Sequence, residues 1–244
     1  MPEGGMSDYR RSHLAKGVDY DRDLGEPGFD AYMAGRERDI LVRIVPRLFP
    51  NRIPRYLDFA CGTGRITQLI EPMAEVSLGI DISKSMIAEA RGKCRRTVFM
   101  VGDPTREQPA IEPVHLVSAF RFFGNAQDEL RRSALAAIRA LLVSRGFLII
   151  NNHRNAWSLH RLLMRCRGES DGANLSYRRL NRLLAECGFQ LLRTYGIGFW
   201  VVRHRLKRPE ALNSPAAKFL EPVSNLRVLG PFCPDAVIVA RKLG

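Results

Sequence analysis

Apolar residues fall along this chain in two alternating kinds of run. Short β-type segments, in which Val, Ile, Leu and Phe recur at close intervals, occupy residues 55–60, 76–81, 98–101, 114–120 and 147–151. Their length and apolar content predict strands buried on both faces. Between them, apolar positions recur at helical spacing over residues 64–73, 84–95 and 128–143. The last of these sets Leu130, Ala134, Leu135, Ile138, Leu141 and Leu142 on one face with arginines opposite. Asn125 is its expected cap and Gly146 its expected stop. Strand–helix alternation of this kind predicts an α/β fold, a mostly parallel sheet with helices on both faces. Such a sheet takes ligands beyond the carboxyl ends of its strands, where the strand order reverses.

The pattern also divides the chain. Residues 1–54 read as a helical cap or lid, residues 55–151 as the core, and residues 233–244 as a terminal antiparallel strand of that core. Residues 152–232 interrupt the alternation and read as an insertion. Within it, Ser176 caps a helix carrying Leu180, Leu183, Leu184 and Cys187 on one side, and Gly188 stops it. A strand-like stretch at 189–196 and a Pro-containing irregular segment follow.

Composition changes this picture little. A chain of 244 residues with 45% hydrophobic content can bury one α/β core. No apolar run reaches the roughly 18 residues of a membrane helix. The first residues lack an apolar signal core, so a cytoplasmic location is expected. Five cysteines are scattered and never paired as CxxC, which predicts reduced thiols and no metal site. Charge is more informative. The net +13 is concentrated in residues 121–208, where 17 Arg and Lys stand against 5 Asp and Glu. Such a field points to an anionic partner, or to solvated arginine-rich helix faces.

The densest chemistry lies in Tyr56-Leu-Asp58-Phe-Ala60-Cys61-Gly62-Thr-Gly64-Arg-Ile-Thr67. A buried strand ends in an acid, and a small-residue turn then opens a helix. Gly62 and Gly64 permit tight torsions and close approach of a ligand, and the helix start offers unpaired N–H groups. Read instead as a dinucleotide-binding GxGxxG turn, the third position would be Thr67, where helix packing asks for Gly or Ala. The next strand ends Gly79-Ile-Asp81-Ile82-Ser83, followed by Met86 and Ala90. An acid there can accept hydrogen bonds from both ribose hydroxyls. The third strand ends Val101-Gly102-Asp103-Pro104, where Asp103 is also placed to cap the turn before Thr105.

These three segments together resemble class I S-adenosylmethionine-dependent methyltransferases. Asp58–Gly64 matches the family's (D/E)xGxGxG motif, with Ala60 in place of the first glycine, and residues 79–90 match its GxDxSxxMxxxA motif. The resemblance covers residues 30–151 and implies a Rossmann-like, doubly wound sheet binding S-adenosylmethionine, with S-adenosylhomocysteine as product. It implies that Asp58 lies near the donor's charged end, that Ala60, Cys61, Gly62 and Gly64 cradle its aminoacid part, and that Asp81 holds the ribose. Ile82 and Met86 would flank the adenine, while Gly102, Asp103 and Pro104 would meet its edge and Phe120 would line the pocket.

The acceptor is less legible. The fourth strand runs into Arg121, a candidate anion ligand, and on to Asn125, with neither an (N/D)PP(Y/F) motif nor a catalytic cysteine. The fifth strand runs into Asn151-Asn152-His153-Arg154-Asn155, where Asn152 is a candidate acceptor contact and His153 the candidate general base. Phe199, Trp200, Arg203 and Arg205 stand where relatives build an acceptor wall, which makes 152–232 an acceptor-side insertion; Tyr20 and Tyr32 are candidates to close over the donor. The resemblance implies a small-molecule or glycan acceptor, anionic in keeping with the charge, methylated at oxygen by in-line displacement. The alternatives are an RNA acceptor gripped by the basic 121–208 region, and a non-catalytic donor-binding partner subunit.

Overall fold

The computed structural model describes residues 29–153, 155–166, 168, 175–199, 214–226 and 229–244. Helix α1 (Phe29–Leu48) precedes strand β1 (Ile53–Phe59). Then come α2 (Arg65–Ile70), β2 (Ala74–Asp81), α3 (Lys84–Lys93), β3 (Thr97–Val101) and β4 (Val114–Ala119). The chain continues through α4 (Asp128–Leu141), β5 (Leu142–Asn151), α5 (Leu159–Cys166), α6 (Tyr177–Glu186), β6 (Phe189–Ile197), α7 (Pro215–Leu220) and β7 (Asp235–Lys242).

The seven strands form one sheet in the order β3-β2-β1-β4-β5-β7-β6. β1 pairs in parallel with both β2 and β4, and β7 runs antiparallel to both β5 and β6. The Rossmann-like sheet expected from the alternation is therefore present, and the strand order reverses between β1 and β4. Segment 152–232, expected as an insertion, supplies α6 and β6 to this sheet.

Period-two alternation divides the core. Leu57, Val117, Leu148, Ile150 and Ile238 face the layer formed by Leu130, Leu135 and Ile138 of α4 and Leu180 and Leu184 of α6. Tyr56, Leu116, Ile149, Val237 and Val239 face the opposite layer, formed by Met33, Leu41 and Ile44 of α1 and Ile66 and Ile70 of α2. Loss of one such side chain to alanine costs about 2–5 kcal/mol.

Two expectations about α4 are corrected. Its cap is Gln127 rather than Asn125, whose side chain instead donates to the Arg121 carbonyl at 2.7 Å. The helix also ends at Leu141, before Gly146. Leu142 already pairs with Val114, and the ladder resumes at Leu116 and Phe147. The intervening residues bulge out of the strand, with Arg145 left-handed at φ 60°. A Cβ on Gly146 would stand 3.0 Å from the Val143 carbonyl, so glycine serves that bulge and does not stop the helix.

Candidate active site

An open cleft of about 900 Å³ lies over the carboxyl ends of β1–β4, at the point where the strand order reverses. Residues 60–64 connect β1 to α2 along its floor. Ala60 is left-handed at φ 55°, Gly62 at φ 53° and Gly64 at φ 79°. Ala60 thus occupies backbone space that disfavours a Cβ, the physical reason a glycine is usual there. The Gly64 N–H closes the turn on the Cys61 carbonyl at 3.0 Å.

Two acids organise the floor. Asp81 accepts from the Gly62 N–H and the Ser83 N–H, both at 2.9 Å, which fixes the rotation of its carboxylate at the cleft wall. Asp58 is buried and accepts from Thr67 Oγ1 and Ser118 Oγ, both at 2.6 Å. Burial pushes its carboxyl up from 3.8 to about 6, against the opposing pull of those two hydroxyls and the Arg65 guanidinium. Burial, reinforced by Asp58 and Asp81, also pushes the Cys61 thiol well up, so it is not a nucleophile.

The expected donor residues converge. Asp58, Ala60, Cys61, Gly62, Asp81, Ile82, Met86, Gly102, Asp103, Pro104 and Phe120 all line the cleft, as does Arg121. Gly64 does not line it; a Cβ there would stand 3.0 Å from that of Ala90, so this glycine lets the turn pack against α3. Asp103 accepts from the Thr105 N–H at 3.0 Å and from its hydroxyl at 2.6 Å, so it caps its turn while lining the cleft.

Of the expected acceptor residues, Arg121 reaches the cleft wall, while His153, Asn152, Phe199 and Asn125, and with them the expected donor-closing Tyr32, do not. His153 packs behind Gly124, whose hypothetical Cβ would lie 2.9 Å from the imidazole Nδ1. Asn152 is buried and directed to the Leu175 carbonyl at 3.4 Å, and the Phe199 N–H bonds Ser224 Oγ at 3.0 Å. Asn125 turns back on Arg121, and Tyr32 donates to Glu221 at 2.5 Å. None of these five lines the cleft. Tyr20, Trp200, Arg203 and Arg205 lie outside the described residues.

Sequence reasoning overlooked Arg65, Thr63 and Thr105 on the cleft wall and the polar triad of Thr67, Ser118 and Tyr56 beneath Asp58. Ser118 carried a usable signal, a hydroxyl inside an otherwise apolar strand end. Thr67, read only as a departure from a dinucleotide motif, is a donor to Asp58.

A Rossmann-like sheet with acids at the ends of β1 and β2 and a glycine turn beneath an open cleft defines a protein that binds an adenosyl cofactor. Residues 57–146 match the family model described as a methyltransferase domain, which spans β1 to the start of β5 and holds every donor residue above. Residues 57–146 therefore form a methyltransferase domain, of the S-adenosylmethionine-dependent kind that the sheet and cleft fit. Solved structures similar in fold include a Synechocystis magnesium protoporphyrin IX methyltransferase with S-adenosylhomocysteine bound, at 15% identity and TM-score 0.58, covering 96% of this chain and 92% of that one. The N-methyltransferase NodS of Bradyrhizobium japonicum is similar at 15% identity and TM-score 0.59, covering 95% of each chain. A Thermotoga maritima methyltransferase described as a possible histamine N-methyltransferase is similar at 19% identity and TM-score 0.61, covering 87% and 89%. Comparison with curated proteins returns no match.

Proposed function

We propose that the protein methylates a small anionic acceptor at oxygen, and that the acceptor enters the cleft from the Arg121 side. S-adenosylmethionine supplies a methyl group on a positive sulfonium, an electrophile that needs no further activation. The cleft residues fit that cofactor. The fixed Asp81 carboxylate suits a vicinal diol, and the residue-60–64 turn leaves Gly62 open to the cleft, its Cβ position meeting only Met86 Sδ at 3.6 Å. Asp58, buried and ionisable, suits a cationic group above it.

The observation that carries the acceptor reading is the composition of the cleft wall. Arg65 and Arg121 line it, whereas no imidazole or lysine does so among the described residues, and its Cys61 thiol is held protonated. An oxygen already ionised near neutral pH, such as a carboxylate, needs alignment and exclusion of water more than it needs a base. His153, the expected base, becomes in this reading a residue that supports the Gly124 turn.

The basic segment is partly internal. Arg131 and Arg179 both pair with Asp128, and Arg132 pairs with Glu186 at 2.7 Å. Arg132 and Arg179 fasten α4 to α6 and Arg131 pairs within α4, so all three meet carboxylates of the same fold, where an RNA acceptor would need cations left for its phosphates. Two small-molecule methyltransferases among the similar folds accord with a small acceptor.

The test is transfer of label from methyl-labelled S-adenosylmethionine into a fractionated extract. Label in a ribonuclease-resistant acidic metabolite, released by mild base as an ester would be, supports the proposal. Label lost on ribonuclease treatment overturns it in favour of RNA.

A further inference from the structure

The core-facing stripe of α1 runs Met33, Glu37, Leu41 and Ile44, one turn apart, all buried. A glutamate in the middle of an apolar stripe breaks the pattern and is fully enclosed, at 0% exposure. Burying a charge costs desolvation that its partners must offset, so a glutamate here stands only because it is fully engaged. The partners of Glu37 show what it does. Its Oε2 accepts from Arg65 NH2 at 2.7 Å and its Oε1 from Asn151 Nδ2 at 2.6 Å. Asn151 Oδ1 in turn accepts from the Arg121 backbone N–H at 2.6 Å. Arg121 is left-handed at φ 57°, a conformation that a non-glycine residue holds only when its surroundings impose it.

One buried carboxylate therefore ties together the donor turn, the end of β5 and the strained turn after β4. Arg65, held by its guanidinium, and Arg121, held by its backbone N–H while its guanidinium meets Asp30 at 3.4 Å, both line the cleft and are set by this chain of bonds. Asp235, at the start of β7, lies in the same field. Its buried oxygens meet no side-chain donor, only the neighbouring Ala236 backbone. Burial, then Glu37, hold its carboxyl well above the usual range, while Arg121 and Arg65 pull the other way. Asp235 thus favours its neutral form, and the carboxylate of the pair that directly meets a guanidinium is that of Glu37, 2.7 Å from Arg65.

We propose that Glu37 is a positioning residue of the donor site: acting through Arg65 and Asn151, it holds the residue-60–65 turn and the Arg121 turn in the arrangement that receives the donor's aminoacid end, making α1 part of the site. The inference rests on the methyltransferase assignment.

The test is equilibrium binding of S-adenosylhomocysteine, alongside thermal unfolding, in the full chain and in Glu37→Gln, Glu37→Leu and Asp39→Asn. Glu37→Gln keeps the volume and the amide contact to Asn151 but loses the charge that orients Arg65. It should weaken binding about tenfold, as small misplacements at reacting sites do. Glu37→Leu should weaken binding at least as much and unfold at a lower temperature, since Arg65 and Asn151 lose their acceptor, whereas Glu37→Gln should unfold near the parent, a split between binding and stability that a merely structural glutamate would not give. Asp39→Asn, exposed on the same helix, should match the parent. Binding within twofold of the parent in both Glu37 variants would overturn the inference, as would losses that follow the unfolding temperature. Failure of the parent itself to bind would instead overturn the assignment on which the inference rests.

Discussion

The two halves of the sheet present their chemistry differently. On the β1–β3 half, the key cleft residues sit at the strand ends: Asp58 is the penultimate residue of β1, Asp81 ends β2, and Gly102–Pro104 follow β3. On the β5–β7–β6 half, the polar residues at the strand ends are buried in bonds to one another. Asn151 serves Glu37 and Arg121, Asn152 reaches Leu175, and Asn155 donates to the Pro231 and Cys233 carbonyls at 2.8 and 2.9 Å. A donor common to a whole family is held by backbone shape and a few acids whose positions topology dictates. An acceptor is met by side chains reaching in from segments far apart in the chain, so the same sheet reads clearly at one end and poorly at the other.

The sharpest break between the halves is at Asp81. Asp81→Ala removes the fixed carboxylate and leaves the Gly62 and Ser83 N–H groups without their acceptor. Calorimetric affinity for S-adenosylhomocysteine should fall by about two orders of magnitude. The neighbouring glycines should separate binding from folding. Gly62→Val points a side chain at the cleft and should abolish binding. Gly64→Ala, with its Cβ 3.0 Å from that of Ala90 and φ 79°, should chiefly lower stability, by roughly 1–3 kcal/mol in denaturant unfolding.

The other half should respond more weakly. His153→Ala should leave donor affinity within about twofold and lower turnover by less than about tenfold, the latter well short of the effect of removing a general base. Loss of the acid-side fall in turnover in that variant would instead restore His153 as the base.

Acidity separates the halves again, because Asp58 lies beneath the cleft in which the donor is expected. Its carboxyl stands at about 6 when folded against 3.8 when free, so folding favours its protonated form. That contribution to the stability of the donor-free protein is complete below about pH 4 and is lost as pH rises through about 6. A cationic donor has the opposite preference. Its affinity should weaken on acidification through about pH 6, and the dependence should vanish in Asp58→Asn. The smallest effect is expected at Ala60, where Ala60→Gly relieves the left-handed strain and should stabilise by up to about 1 kcal/mol without changing turnover.

The same contrast sets how much was legible in the sequence. β1 to β4 and the donor turn were readable because a buried parallel strand, an acid and a glycine turn must be contiguous for the backbone to approach a ligand. The start of β5 was misread because Leu142 suits a helix face and a strand equally well, and only pairing with Val114 decides between them. Glu37 was invisible because its partners, Arg65 and Asn151, lie 28 and 114 residues away. The roles of Thr67 and Ser118 were hidden for the same reason, since what each hydroxyl does depends on where Asp58 points.

The most direct test of the central claim is a titration of the parent protein with S-adenosylhomocysteine, run in competition with NADH. The account predicts saturable one-site binding of S-adenosylhomocysteine that excess NADH does not displace. Binding of NADH in its place, or no binding of S-adenosylhomocysteine by the folded protein, would contradict it.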